Sequence, residues 1–364
     1  MRIAQLIESD GPGGAERVVA DLATHLQASG AQSVVFVPAK GEGWLARQVE
    51  GSGVAVESFH LDRPFSPACA RSLAAAFRRH RIEIAHSHEF SMAVYGAWAS
   101  WLAGVPHLVT MHGSRYYAGR LQRRVALRSA LAVSKRTIAV STGLAEHMSR
   151  DLWIPRARIA MVSNGVRRAQ PAPKTLREQL GLSADDRLLV AVGNLYPVKG
   201  HCHLIEAIAL LAPSHPRLHL AICGRGDLAD SLAAQARENG VAPRVHLLGL
   251  RSDVAAIVAE ADIFVMPSLS EGLPLALLEA MVAGCAIVAS AVGEMGAALD
   301  HGAAGVLVPP GDPRALAVGI ERLLNDPQLA RTLGGRAAVK AAAEYEVSTM
   351  VRHYSSMYDV ILTR

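Results

Sequence analysis

Two carboxylates, Glu271 and Glu279, frame the stretch Pro267–Gly284, PSLSEGLPLALLEAMVAG, in which nearly every other residue is apolar or turn-forming. A charge carried into apolar surroundings needs partners, because burying it alone is strongly unfavourable. The backbone N–H groups from Gly272, Leu273 and Leu275, with Pro274 among them, stand where a helix begins, a positive pole suited to an anion. From Glu271 to Glu279 the chain spans a turn and five helical residues, roughly 10 Å at ~1.5 Å per residue. That is the length of a sugar–diphosphate–ribose unit, with the anion in the middle and a hydroxyl-binding acceptor at each end. The alternative for the same residues is a solvated stripe for Glu279 and an ordinary turn for Glu271. Lys199, in VGNLYPVKG, lies just beyond a strand end, where a phosphate would be held. Gly13 and Gly14, in SDGPGG, offer backbone N–H groups at a second strand–loop–helix junction, which is neither GxGxxG nor a P-loop.

These residues need elements to position them. Asp262–Met266 is expected as a buried strand, followed by a turn and a helix with Pro274 at its first position and Gly284 just past its end. Before it, Arg2–Glu8 opens the chain as a strand, and a helix is expected from Ala15 to Ser29. Further strands are expected at Ser33–Pro38, Val54–Phe59, Ile82–His86, His107–Met111, Arg136–Val140 and Ile159–Val162, with helical segments between. A second alternating series runs through Arg187–Val192, Leu218–Cys223, Arg244–Leu248, Asp262–Met266, Ala286–Ala289 and Gly305–Val308. Strands alternating with helices predict doubly wound parallel sheets, here one in each of two α/β domains. The expected division is residues 1–168, with a helix at about 347–364 packing back on them, and residues 169–346. Arg167–Thr175, polar with two prolines, reads as the linker. Ligands of such sheets sit beyond the carboxyl ends of the strands, where His86–Ser87–His88, His112–Gly113, Ser141–Thr142 and the SDGPGG loop are expected.

Composition narrows the class. The chain has 364 residues, 51% hydrophobic, enough for two full cores. Cys69, Cys202, Cys223 and Cys285 form no CxxC pair and read as reduced core thiols. Glu8 interrupts the opening apolar run too early for a secretory signal. The uncharged stretch from 90 to 114 is divided by Gly104 and Pro106, against a membrane span. Residues 1–166 hold 19 Lys+Arg against 12 Asp+Glu (+7), which leaves 18 against 20 (−2) for residues 167–364. The two halves are therefore expected to meet different partners.

The pairs His86/His88 and His201/His203 have spacing usable for zinc, but no third ligand stands at suitable spacing, so surface or strand-end histidines are expected. Ser114–Arg136 carries Arg115, Arg120, Arg123, Arg124, Arg128, Lys135 and Arg136 with no acid, interleaved with apolar residues and accompanied by Tyr116 and Tyr117. A basic amphipathic helix of this kind suits an anionic membrane surface; the alternative is a solvated face binding an anionic acceptor. No nucleic-acid-binding module is present in the sequence.

GGAER, HSHEF, TMHG, VSNGV, VGNLYPVKG, ICGRGDL, SEGLPLALLEAMVAG and LVPPGDP, in that order over nearly the whole chain, resemble the retaining glycosyltransferases of family 4, with the GT-B fold of two Rossmann-like domains facing across a cleft. The E-x7-E pair, Glu271 to Glu279, is the most specific element. The resemblance implies a UDP- or GDP-sugar donor bound between the domains, mainly on the second. Glu279 would accept from the ribose, and Glu271 with the N–H groups of Gly272 to Leu275 would hold the sugar and phosphates. Lys199 would neutralise the departing diphosphate, with Gly13 and Gly14 approaching it from the first domain. His112 would stand near the sugar, and Arg225 by the base. No metal or cofactor is implied. The family often has Arg at Asn194 and a Glu near Ala297, so leaving-group stabilisation here would lean on Lys199. The expected activity is sugar transfer with retention to a glycan, lipid-linked, in cell-surface polysaccharide or lipopolysaccharide synthesis, by a cytoplasmic protein peripheral on the inner face of the membrane. The alternatives are a sugar-nucleotide-binding protein that has lost turnover, which Asn194 motivates, and a nucleotide-sugar epimerase.

Overall fold

Short runs of Val, Ile, Leu and Ala with no alternating polar face are what a parallel sheet covered by helices on both sides demands. The computed structural model, which describes residues 1–61, 66–113, 117–167 and 175–363, places such runs in two sheets. Contacts along the chain divide it into Met1–Gly165 with Val347–Arg364, and Val166–Glu346.

In the first unit the strands are β1 (Arg2–Leu6), β2 (Gln32–Pro38), β3 (Ala55–Phe59), β4 (Ile84–His88), β5 (His107–Met111), β6 (Arg136–Ala139) and β7 (Ile159–Met161). All pair in parallel, in the order β3-β2-β1-β4-β5-β6-β7. The order reverses between β1 and β4, which opens a crevice at their carboxyl ends. Ile3, Leu6, Phe36, Ala85 and Val109 are buried in its core. The helix Val347–Leu362 belongs to this unit, and its Tyr354 and Tyr358 are fully buried.

The second unit repeats the plan with β8 (Arg187–Val192), β9 (Leu218–Cys223), β10 (Val245–Gly249), β11 (Ile263–Met266), β12 (Ala286–Ser290) and β13 (Val306–Val308), in the order β10-β9-β8-β11-β12-β13. Here the reversal falls between β8 and β11. Successive strand residues point to opposite faces. Thus Val190 and Phe264 join Leu278 and Met281 of the Leu275–Val282 helix on one side, while Leu189 and Val265 pack with Ile208 and Ile320 on the other. Each large apolar side chain so buried stabilises by roughly 1.5–3 kcal/mol.

Three expectations are corrected. Pro274 is the N-cap, with extended backbone (φ −73, ψ 132), and the helix starts at Leu275; Gly284 does end it, at φ 69. The His86–Ser87–His88 run does form the carboxyl end of β4, but it is fully buried rather than at the surface. His201 is likewise buried, at the start of the helix His201–Leu211.

Candidate functional site

The reversal between β8 and β11 gathers most of the second unit's chemistry. After β8 the chain passes through Gly193–Tyr196 into the short turn Pro197–Lys199, and Gly200 closes it at φ 66. A Cβ on Gly200 would stand 2.1 Å from the carbonyl oxygen of Pro267, so only glycine lets the two loops meet backbone to backbone. The Leu269 N–H donates to the Val198 carbonyl at 2.8 Å across the same seam. The result is that Lys199 Nζ donates to Glu271 Oε1 at 2.6 Å, and Ser268 Oγ donates to the same oxygen at 2.7 Å. Both described bonds fall on Oε1. The Glu271 side chain is 10% exposed and that of Lys199 24%, so the pair is only partly screened by water.

Surrounding loops hold this pair in place. Gly293, at φ 54, lies so close to the Glu271 and Gly272 carbonyls that a Cβ would meet them at 2.1 and 2.8 Å, and the Glu294 N–H donates to Gly272. His201 Nε2 donates to the Gly193 carbonyl at 3.2 Å; its burial pushes the imidazole down to about 4, neutral in ordinary buffers. Asn194 sits half-buried on the loop between them, and the Leu195 N–H donates to the Arg225 carbonyl, with the Arg225 residue itself exposed. The N-cap of the helix that starts at Leu275 is Pro274, which makes no side-chain cap bond. Glu279 is half-buried rather than enclosed, because the helix turns Leu277, Leu278, Ala280 and Met281 inward. Ala297 carries no acid, and its carbonyl accepts from Lys340 at 2.6 Å.

In the first unit the crevice between β1 and β4 is lined differently. Tyr358 OH lies 2.7 Å from His86 Nδ1 and accepts from Gln5 Nε2 at 3.2 Å; His86 Nε2 lies 2.7 Å from Thr110 Oγ1, itself 3.1 Å from Tyr354 OH. Gln5 Oε1 in turn faces His88 Nε2 at 3.0 Å, and His88 Nδ1 faces His112 Nε2 at 3.0 Å. With Gln5 oriented this way, His88 donates through Nε2 and must accept through Nδ1, so His112 donates through Nε2 and its Nδ1 keeps a bare lone pair. That Nδ1 is buried and has no partner among the described residues. Burial pushes His86 and His88 well below the usual imidazole range, and His112 to about 4. These histidines are a satisfied internal network reaching to His112, not a surface pair.

Beside His112 stands a group that sequence reasoning missed. Glu89, the first residue of the helix Glu89–Ala103, has φ 68, is 8% exposed, and leaves Oε2 without a partner among the described residues. Burial first, then the neighbouring charge of Glu8, pushes its carboxyl up to about 8, with Glu16 adding to the shift and the His112 backbone opposing it. Glu8 follows β1 and accepts from the Ser91 N–H at 3.1 Å. Glu16 lies in the first turn of the helix Gly14–Ala28, is bonded by Ser9 Oγ, and folds over Gly13 so closely that a Cβ there would meet its Oε2 at 2.2 Å. The pole at Gly13 and Gly14 is therefore already faced by a carboxylate. The signal in the sequence was an acid directly after a strand's HSH run, at a strand–helix junction.

The basic stretch becomes the helix Leu121–Val133, with Arg120 as its exposed N-cap. Its arginines do not form one free face. Arg124 Nε donates to the Ala118 carbonyl at 3.0 Å, Arg128 Nη1 donates to the Leu152 carbonyl at 2.5 Å and also to that of Trp153, and Arg123 lies over the Phe90 ring at 5.8 Å. Tyr117 is fully buried and so is not an interfacial tyrosine, whereas Leu121 and Val125 are exposed. Arg115 and Tyr116 lie outside the described residues. Among the described residues no helix is long and apolar enough to cross a membrane, and no three His, Cys, Asp or Glu side chains cluster to hold a metal ion.

Comparison with known proteins gives these sites a context. Residues 173–340 match the family described as Glycosyl transferases group 1, and residues 12–170 match Glycosyltransferase Family 4. The chain is 30% identical over 314 residues to the D-inositol 3-phosphate glycosyltransferase of Thermobispora bispora, covering 80% of this chain and 73% of that protein. It is 27% identical over 272 residues to the Escherichia coli UDP-Gal:alpha-D-GlcNAc-diphosphoundecaprenol alpha-1,3-galactosyltransferase, covering 71% and 70% respectively. Its fold is similar to that of Anabaena HepE, crystallised with UDP and glucose, at a TM-score of 0.87 with 24% identity, over 99% of this chain and 100% of that one.

Proposed function

Because the chain belongs to the family 4 glycosyltransferases and has their GT-B fold, we propose that it moves a sugar from a UDP- or GDP-sugar to a glycan acceptor with retention at the anomeric carbon. The observation that carries the reading is the Lys199–Glu271 pair at 2.6 Å, set at the strand reversal beside a helix N-terminus whose N-cap, Pro274, makes no side-chain cap bond. Breaking a sugar–phosphate bond puts negative charge on the departing diphosphate, and fixed positive poles aimed there are usually the largest catalytic contribution. Lys199 and the N–H groups from Gly272 to Leu275 are of that kind, and they need no metal ion to act. Asn194 beside them adds a neutral donor without an arginine's bidentate grip.

In this reading Glu271 holds the transferred sugar. Lys199 and Ser268 both donate to Oε1, which orients the carboxylate and leaves Oε2 for a sugar hydroxyl. Glu279 accepts from the ribose, and Arg225 lies by the base. The departing phosphate takes the acceptor's proton as the acceptor attacks the same face, and Glu271 forms no covalent intermediate. A lipid-linked acceptor is supported by the named substrate of the Escherichia coli relative. The exposed Arg120, Leu121 and Val125 support docking of the first unit on an anionic, cytoplasmic membrane face. A thermal-shift panel of UDP- and GDP-sugars, followed by NMR of the product's anomeric configuration, tests the reading. Inverted product refutes retention, and no shift with any nucleotide sugar refutes the donor class.

A further inference from the structure

The first unit's strand reversal carries carboxylates that donor chemistry does not use. Glu8, Glu16 and Glu89 come from three places, the end of β1, the first turn of Gly14–Ala28 and the first residue of Glu89–Ala103, and they act on one another electrostatically. No cation among the described residues figures in what acts on Glu89. Glu89 is more than nine-tenths enclosed and its Oε2 has no partner among the described residues; nor has the buried Nδ1 atom of half-buried His112, whose backbone hydrogen bonds toward the same carboxyl. Buried polar atoms are almost always paired, so two such orphans, on residues joined by a backbone hydrogen bond, mark a place that a ligand completes. Glu89 holds its position with a left-handed backbone, a conformation costly for any residue but glycine.

We propose that Glu89 and His112 receive the acceptor's reacting end in the first unit, and that this site takes an uncharged sugar hydroxyl and rejects a phosphorylated polyol. The inference rests on the glycosyltransferase reading above and deepens it. The chemistry of the two orphans is complementary to a hydroxyl. His112 Nδ1 offers a lone pair, and the Glu89 carboxyl, kept protonated near neutrality by its burial and then by Glu8, offers an O–H. A hydroxyl both donates and accepts and satisfies both at once. A phosphate monoester brings mainly acceptor oxygens and further negative charge to Glu8 and Glu16, which add to the burial that keeps Glu89 from ionising. The half of the chain that holds a net charge of +7 (19 against 12 over residues 1–166) therefore turns its acids to this ligand.

The experiment uses the full chain and matched probes: methyl glucoside, methyl mannoside and myo-inositol against glucose 6-phosphate, mannose 6-phosphate and inositol 1-phosphate. Binding is followed by ligand-observed NMR, and transfer by nucleoside diphosphate release from UDP- and GDP-sugars. A neutral probe is expected to bind and to raise release, with its phosphorylated counterpart at least about tenfold weaker. Glu89→Ala should raise the acceptor KM by about tenfold while donor KM and acceptor-independent hydrolysis hold, and Glu89→Gln, which keeps a neutral donor, should stay within about threefold of the native enzyme. Phosphorylated probes binding as well as neutral ones, no neutral probe binding, an unchanged KM in Glu89→Ala, or equal damage from Glu89→Gln each overturn the proposal. Absence of any nucleotide-sugar binding or hydrolysis instead overturns the glycosyltransferase reading, and the NMR contrast between neutral and phosphorylated probes is still read independently of it.

Discussion

The two units reverse strand order at the same point of the same sheet plan and put opposite chemistry there. Between β8 and β11 stands a lysine paired with one carboxylate, next to a helix start with no side-chain cap. Between β1 and β4 stand carboxylates and neutral imidazoles, and the helix start at Gly14 is already faced by Glu16. Topology supplies the crevice, and the side chains at its rim decide what enters. Net charge misleads here: the basic half carries the acidic rim, and the half with net charge −2 (18 against 20) carries the lysine.

The strongest way to break this contrast is at Lys199. Lys199→Ala should lower kcat by about 10²–10³-fold with a smaller change in donor KM, since the charge it meets develops mainly in the transition state. Unchanged steady-state turnover removes Lys199 from the mechanism. Acid should separate the units next. His86, His88 and His107 are buried and His112 is half-buried, and desolvation holds all four below the unfolded value of about 6.5, so the unfolded chain binds more protons as pH falls past that value. Their stabilisation is complete above pH 6.5 and is lost on descent, toward about 4 for His112 and about 3 for His107. Glu89, raised to about 8, works the other way between pH 8 and 4.5, but it is one group against four. Trp44, Trp98, Trp101 and Trp153 all lie in the first unit, so tryptophan fluorescence reports it alone. It should unfold in urea at markedly lower denaturant at pH 5 than at pH 7.5; equal midpoints contradict the neutral-histidine account.

Smaller effects sharpen the contrast. Glu279→Ala should weaken UDP or GDP binding about tenfold by calorimetry, the size of one hydrogen bond to a charged acceptor. Native affinity in that variant excludes the ribose role. Arg120→Gln should lower partition to anionic vesicles about fivefold, roughly 1 kcal/mol for one basic group near the surface. Cosedimentation unaffected by the change leaves the docking face elsewhere.

Much of the fold was legible because buried parallel strands announce themselves locally. His107–Met111, Arg187–Val192 and Leu218–Cys223 form with the bounds their apolar runs suggest. Helix ends were less so: Pro274 fits either the cap or the first turn by residue type, and only its extended ψ decides. The Lys199–Glu271 contact was legible only as two strand ends awaiting a ligand, since the residues are 72 positions apart and meet through Gly200 and Pro267. The histidines of β4 were placed at a strand end, but their burial was not legible because a partner, Tyr358, lies 272 residues along the chain from His86. Glu89 escaped notice for a related reason. An acid at a helix start is ordinarily a solvated N-terminal charge, and its surroundings here are set by Glu8, Glu16 and His112, which come from other parts of the chain.

That long-range closure has a consequence for how the protein is made. Tyr354 and Tyr358 complete the hydrogen bonds of His86 and Thr110, yet the helix bearing them is synthesised only after all of Val166–Glu346. On the ribosome the nascent first unit emerges with its imidazoles unlatched, and the inserted second unit has every residue it needs earlier. The half begun first is finished last, and a messenger truncated before Val347 would yield a sound second unit joined to an open one.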